Sequence, residues 1–565
     1  MLRRNAQRVP DREALVDPPN LTEISGSLPQ RLSWAELDAR VECLAGVLAL
    51  LGWTTDDVVV VQMVNSHEVL VLYLACWRLG VVVSPMVAQA REHEIAQAIE
   101  RTGARALVVS QSIGAHDHAA MAIGLSRGLA DPVQVLTFGA GRIPPDVVDL
   151  RQRMLDVVRD IDAAQAALDR LARARPVTAD DAVTVIWTSG SEGRPKGVGR
   201  THNDWLLYGP QFGADFGIGD GIRLLNGRPL CTHGAFVGTI TPWLWHAGTL
   251  VNHHPFSLPI FLAQLRQERI GFTALAPAIL SSLLARPEQL VDIDFQQLRC
   301  IGSGSAPLSE SLVRGFREQF GVEVINFFGS TEGASLVSGP PDMPDAAARA
   351  QYFPRLGAAG QAWKHPAHAL VETRLVDLGT GADIEAPGLA GEIRFRGPMV
   401  MSGYFRDPEL TASAFDAQGW YCTGDLFELA GDRGQYLRYA GRVKDVIVRG
   451  GFNLSASEIE RLVASHPSVL EVAGVGYADA RLGERVCACV VPRLGHVLTL
   501  EDLTRHLREA CQVSVLKLPE RLMLLEEMPR SPNQKVLKGV LRERAAQMHA
   551  PEPAASPPRE PRSET

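Results

Sequence analysis

The 565-residue chain has no apolar run long enough to cross a bilayer; the longest, from Val69 to Trp77, is ended by Arg78. Charged residues at Arg3 and Arg4 have no apolar segment behind them, so no secretory signal is expected. Nor is there an excess of basic charge. A formal net charge of -8 provides no basic face for nucleic acid, which is therefore not an expected partner. Cysteines are few and scattered: Cys43, Cys76, Cys231, Cys300, Cys422, Cys487, Cys489 and Cys511. Most lie in apolar runs, where a thiol behaves as a small hydrophobe, and a reducing, cytoplasmic setting is the expectation. Cys487 and Cys489 share a strand face but lack Cys-x-x-Cys spacing, so no zinc site is expected. What is present, 46% hydrophobic and 21% charged residues, suits a globular protein of two or more domains of roughly 100 to 200 residues each.

Ser33 and Glu36 form a capping box ahead of Leu37, Val41, Leu44, Leu48 and Leu51, which recur at helical spacing until Gly52. Strands are predicted at 58–63, 81–84, 104–110, 133–138 and 183–187, and helices at 66–79, 91–101 and within 150–172. This alternation predicts a parallel α/β sheet with right-handed crossovers. Further short strands at 271–275, 298–301 and 323–326 end in Gly, Ser or Pro, and such strand ends are where doubly wound sheets gather ligands. From about Val371, short strands at 392–396, 420–421 and 435–439 among glycines predict a small β-rich subdomain. After Gly441 a mixed pattern follows: a helix from Ser457, strands at 473–477 and 486–491, a helix at 501–511 and a strand at 521–526. About a hundred residues of this kind suffice for a separate α+β domain. The proline-rich tail from about His549 is expected to be disordered. The domain boundaries expected are 1–440, 441–548 and a tail at 549–565.

The stretch from Thr188 to Val198 follows the apolar run 182–187 with hydroxyls at Thr188, Ser189 and Ser191, glycines at Gly190, Gly193 and Gly197, and the cation Lys196. Backbone N–H groups and a cation at the end of a buried strand suit phosphate oxygens. It is not a Walker loop, because no Gly-Lys pair is followed by Ser or Thr. Pro195 stiffens the loop where a linker would stay loose.

Six motifs in order, 188–198, 302–307 (Gly302 to Pro307), 328–332 (Phe328 to Glu332), 421–426 (Tyr421 to Leu426), 441–445 (Gly441 to Asp445) and 529–535 (Pro529 to Lys535), resemble those of AMP-forming adenylating enzymes. That superfamily comprises acyl- and aryl-CoA synthetases, peptide-synthetase adenylation domains and luciferases, and the likeness runs from about Pro10 to Arg544. Texture such as Arg481 to Val486 looks most like acyl- or aryl-CoA ligases.

The resemblance implies a large N-terminal domain of parallel α/β layers with a small β-rich subdomain, then a mobile α+β C-terminal domain. It implies ATP, Mg²⁺ and coenzyme A, with an acyl carrier protein as the alternative acceptor. Thr188, Ser189, Gly190, Ser191, Gly193 and Lys196 are expected at the β- and γ-phosphates, Thr331 at the α-phosphate and Glu332 at Mg²⁺. Phe328 and Gly329, with Gly304, Ser305, Ala306 and the Asn326 amide, are expected around adenine, and Asp425 and Arg442 at the ribose. Lys535 is expected to neutralise charge between carboxylate and α-phosphate. Lys444 is the expected hinge, and Gly450 and Gly451 the expected lining of a thiol channel.

Glu192 stands where Thr or Ser is common, and Gln534 replaces the glycine that usually precedes the lysine. The acyl pocket implied by the resemblance is walled by His233, Gly234, Phe236, Val237, Ser303, Gly304, Phe327 and Ser330. The segment 231–236 has no carboxylate to pair an ammonium group, which disfavours an amino acid and favours a hydrophobic acid.

Overall fold

The computed structural model describes residues 1–139, 141–188, 195–213, 216–304, 306–358, 360–365, 370–449, 452–479, 481–511, 513–531 and 535–548. The expected tail 549–565 lies outside them. The chain divides into two compact units, Met1–Thr423 with Glu428–Arg438, and Gly424–Phe427 with Tyr439–Thr565.

Two large sheets organise the first unit. One runs Lys196–Thr201, Ala182–Thr188, Val82–Pro85, Val58–Gln62, Ala106–Ser110, Gln134–Phe138 and Val148–Asp149, parallel except for the antiparallel first pair. Its central strands are continuous apolar runs, fully buried at Val58–Gln62 and Ala106–Ser110, as a sheet covered on both faces requires. The other sheet places Glu323–Gly329, Cys300–Gly304, Phe272–Ala274, Arg223–Asn226, Thr249–Asn252 and Glu13–Val16 in parallel, with Ser335–Ser338 and Arg31–Ser33 as antiparallel edges. The mixed α/β layers expected from the sequence are present.

Helix Trp34–Leu50 starts on the expected capping box: Ser33 Oγ accepts from Glu36 N at 3.2 Å and the Glu36 carboxylate accepts from Ser33 N at 2.8 Å. The single helix expected within 150–172 is two, Leu150–Arg159 and Ile161–Ala174, because Asp160 caps the second through Ala163 N. Smaller strands form a five-stranded sheet: Tyr352–Pro354, Glu372–Val376, Ala390–Arg396, Tyr421–Ala430 and Tyr436–Arg442. The chain passes between the two units along the last two strands.

The second unit carries Val446–Arg449 and Phe452–Ser455 beside the long hairpin Val469–Asp479 and Gly483–Pro492, with Arg521–Leu524 added in parallel. Helices Ala456–Ala464 and Leu500–Glu509 supply Ile459, Val463, Leu503 and Leu507 to one core, and Lys538–Gln547 supplies Leu541 and Ala545 to another. Cys487 and Cys489 are fully buried in that second core. Among the described residues, no helix is long and apolar enough to cross a membrane.

Candidate active site

The phosphate-loop stretch is the connection of a β-hairpin. Thr188 pairs with Lys196 across the ladder, and the register continues to Thr184 opposite Arg200. Ser189, Gly190, Ser191, Glu192, Gly193 and Arg194 lie outside the described residues, but both ends of the loop are fixed by the strands. Pro195 is tied further: Arg101, on helix Glu92–Thr102, donates to its carbonyl and, through Nη2, to Asp407 at 3.0 Å.

Lys196 Nζ sits 5.3 Å from the ring centroid of Tyr404, within cation–π range. The Tyr404 hydroxyl donates to Glu332 Oε1 at 3.1 Å. One ring therefore carries both the loop cation and the Glu332 carboxylate. Glu332 is buried at 9% exposure, and burial, then the Glu332 charge, pushes the Tyr404 phenol up, so it stays a donor at neutral pH.

Thr331 is held through its backbone. Arg200, fully buried, donates from Nη2 to Thr331 O at 2.7 Å and from Nη1 to Met399 O at 2.9 Å. The backbone leaves no slack there: Gly333 has φ +105°, and a Cβ on it would lie 2.0 Å from Met399 O. Arg200 also lies 5.9 Å from the Trp205 ring. Trp205 stacks on Phe236 at 4.6 Å and tilts against His233 at 5.5 Å, so Arg200 links the Thr331–Glu332 turn to the expected acyl wall.

That wall is aromatic. Phe236 also stacks on Tyr73 at 6.1 Å, and His233 meets the edge of Tyr208 at 5.7 Å. Thr232 caps the short turn His233–Ala235, which continues into the wider turn Phe236–Ile240 carrying Val237. Among the described residues, His233 Nδ1, the Tyr208 hydroxyl and Ser330 Oγ are buried without hydrogen-bond partners. Burial, then the charges of Arg200 and Arg228, drives His233 well below the ordinary histidine range, so the ring is neutral at physiological pH.

The other expected residues divide between backbone and side-chain roles. Gly304 has no room for a side chain, since a Cβ would meet Phe327 O at 2.4 Å. Ala306 and Gly329 are exposed and Ser305 lies outside the described residues. Phe328 is half-buried and meets Phe353 edge-on at 6.3 Å. Ser303 is fully buried with its hydroxyl on Leu275 O at 2.9 Å, and Phe327 packs over Gly302 and against Phe212 at 5.9 Å. The Asn326 amide nitrogen donates to Arg349 O and Ala350 O, tying the strand Glu323–Gly329 to the end of helix Ala346–Gln351.

In the second unit Asp425, 3% exposed, accepts from Arg442 Nε at 2.9 Å. Lys444 is exposed in the turn Val443–Asp445, where its carbonyl accepts from Arg542 at 3.3 Å. Lys535 is exposed, and its backbone is tied to Ser531: its N–H donates to Ser531 Oγ at 3.2 Å and its carbonyl accepts from Ser531 N at 2.8 Å. Gly450, Gly451 and Gln534 lie outside the described residues.

Sequence reading did not reach Arg101, Arg200, Trp205, Tyr208, Arg228 or Tyr404. Arg200 had a local signal: strand alternation puts it on the face of Val198, and a charge on a buried face has a task. Tyr404 had none, because its partner Glu332 is far away in sequence.

Comparison with known proteins agrees with this geometry. The AMP-binding enzyme model matches residues 2–405, and the AMP-binding enzyme C-terminal domain model matches residues 458–535. A medium-chain fatty-acid–CoA ligase of Escherichia coli (strain K12) is 29% identical over 95% of this chain and 88% of its own length. A 2-hydroxy-7-methoxy-5-methyl-1-naphthoate–CoA ligase of Streptomyces carzinostaticus is 31% identical over 96% of this chain and 92% of its own. Among solved structures, ATP-bound MatB from Rhodopseudomonas palustris superposes with a TM-score of 0.76 at 26% identity, covering 97% of this chain and 98% of that one. With the family models, these relatives and the joined Lys196, Tyr404 and Glu332 in agreement, the chain belongs to the AMP-binding enzyme family, the AMP-forming adenylating superfamily.

Proposed function

We propose that the chain activates a hydrophobic carboxylic acid with ATP, forming acyl-AMP and releasing pyrophosphate, and then passes the acyl group to the thiol of coenzyme A. It is an AMP-forming acid–thiol ligase. The observation that carries the reading is the placement of Lys196 and Glu332 on one tyrosine ring, a cation and a carboxylate held together beside a loop made for phosphates. A carboxylate oxygen attacks the α-phosphorus and the bond to the bridging oxygen of pyrophosphate breaks. Such a step needs positioning and charge stabilisation more than a general base.

Lys196 and the loop residues Thr188, Ser189, Gly190, Ser191 and Gly193 hold the outer phosphates in this reading, and Thr331 the α-phosphate. Phe328, Gly329 and the backbone of 304–306 take the adenine, and Asp425 with Arg442 the ribose. The donor set suits Mg²⁺: that ion takes one or two carboxylates together with substrate phosphates, and Glu332 is one buried carboxylate with a single oxygen on Tyr404. Bound there, Mg²⁺ supplies neutralisation of phosphate charge. The aromatic wall of Phe236, Trp205 and Tyr208, with His233 neutral, favours an apolar acyl body.

Residues 1–440 form the adenylating domain and 441–548 the C-terminal domain in this reading. Turning about Lys444 withdraws Lys535 after adenylation and brings Gly450 and Gly451 to the thiol path. ATP–pyrophosphate exchange across a panel of aliphatic, alicyclic and aryl acids tests the first half-reaction, and CoA-dependent AMP release tests the second. An acid that drives exchange is expected; silence across the panel would overturn adenylation, and AMP release indifferent to CoA would overturn the acceptor.

A further inference from the structure

Several arginines of the first unit are paired with carboxylates. Arg151 meets Glu68, Arg223 meets Glu13 and Glu268, and Arg349 meets Glu323. Arg200 spends its two terminal nitrogens on carbonyls. Arg228 is different: half-buried, its guanidinium has neither an ion pair nor a hydrogen bond among the described residues, and partial burial lowers its pKa. Only its backbone is engaged, the carbonyl accepting from Asn65 Nδ2 at 2.8 Å and Asn226 Nδ2 at 2.9 Å. A cation drawn partly out of water without a partner is costly, and an anion brought to it offsets that cost.

The position of that cation is defined by a missing side chain. Arg228 Nη1 lies 2.4 Å from where a Cβ of Gly234 would stand, with Cζ at 3.5 Å. Any residue but glycine at 234 would displace the guanidinium. Arg228 therefore occupies the direction in which residue 234 would have pointed, next to His233, which feels its charge. The same histidine faces Tyr208, and among the described residues both His233 Nδ1 and the Tyr208 hydroxyl are buried without partners. Three polar groups without partners among the described residues thus gather around one short turn, beside a wall of aromatic rings.

We propose that Arg228 binds a second anionic group of the acid substrate, so that the preferred acid has an apolar body carrying a carboxylate or similar anion in addition to the one that is activated. The proposal rests on the adenylation reading above and on the turn at His233 and Gly234 forming the acyl wall. A second group fits better than the reacting one. The reacting carboxylate loses its charge as the acyl–phosphate bond forms, and a guanidinium clamped on it would stabilise the ground state more than the transition state. A spectator anion keeps its charge throughout, so binding it holds the acid in register without opposing the reaction.

Matched acids test this with the full-length protein in ATP–pyrophosphate exchange: octanoate against suberate, hexanoate against adipate, and benzoate against isophthalate. At least one diacid is expected to exceed its monoacid partner in kcat/KM by about tenfold or more, the worth of one charge-assisted hydrogen-bonded pair. Arg228→Leu is expected to lower that ratio by the same factor, and Arg228→Lys to keep part of it. Gly234→Ala approaches the site from the other side: by displacing the guanidinium it also lowers the ratio, which keeps the test alive if Arg228→Leu does not fold. A wild-type protein that prefers every monoacid overturns the proposal. So does Arg228→Leu lowering both members of a pair equally, which would assign Arg228 to the reacting carboxylate. Exchange with no acid at all defeats the adenylation reading itself, whereas exchange with an unchanged ratio defeats only this inference.

Discussion

The first unit buries and ties down its candidate site, whereas the second presents its candidate lysine in the open. Glu332 is buried on the Tyr404 hydroxyl, Thr331 is held by a fully buried arginine, and Lys196 stands over the same tyrosine ring. Lys535 is exposed, with its backbone hydrogen-bonded to Ser531. Groups needed whenever ATP is bound gain from fixed geometry, because no reorganisation is then required at the moment of reaction. A group needed in one half-reaction and in the way during the next gains from a position that can be withdrawn.

The largest effect that could break this contrast is expected at Lys535. Lys535→Ala should lower adenylation a hundredfold or more, about 3–4 kcal/mol, while leaving the unfolding midpoint unchanged. Thioester formation from supplied acyl-adenylate and CoA should fall far less. Equal loss in both half-reactions, read in single-turnover assays, would mean that the lysine is not withdrawn.

Arg200→Met comes next and should behave in the opposite way, with stability and rate falling together. It strands the carbonyls of Thr331 and Met399, at about 1–3 kcal/mol each, partly offset by no longer burying a guanidinium; a net loss of about 2–4 kcal/mol is expected in urea unfolding. Arg200→Lys should recover little, because an ammonium cannot fork to two acceptors as the guanidinium does. Wild-type stability for Arg200→Met would remove the claim that this side of the site is held rigidly.

Tyr404→Phe is the mildest. It deletes one hydrogen bond to a carboxylate and keeps the ring under Lys196, so exchange should fall by roughly tenfold, about 1.5 kcal/mol, and more Mg²⁺ should be needed for half-maximal rate. An unchanged Mg²⁺ requirement would separate Tyr404 from the metal-binding role proposed for Glu332.

Much of the fold was legible because its strands are long apolar runs: four consecutive valines at 58–61 can hardly be anything but a buried parallel strand. Glu13–Val16, Arg223–Asn226 and Thr249–Asn252 were not, since each is four residues long and includes polar residues that the sheet satisfies from neighbours distant in sequence. The candidate site divides in the same way. Lys196, Glu332, Asp425 and Lys535 sit in compact motifs that local spacing reveals. The residues that hold or flank them, Arg101 on Pro195, Arg200 on Thr331, Tyr404 on Glu332 and Arg228 against Gly234, act across chain crossings that no local pattern encodes.

The path of the chain between its two units has a practical consequence. Asp425 and Arg442 form an ion pair within one compact unit, yet the segment Glu428–Arg438 that separates them in sequence belongs to the other. Exchanging C-terminal portions between relatives at a single junction in that segment would pair the aspartate of one parent with the arginine of the other. A graft that keeps one parent's pair intact and also leaves Glu428–Arg438 with the first unit needs two further junctions, either side of Gly424–Phe427, so this short strand piece is inherited with the C-terminal unit even though it lies upstream of it.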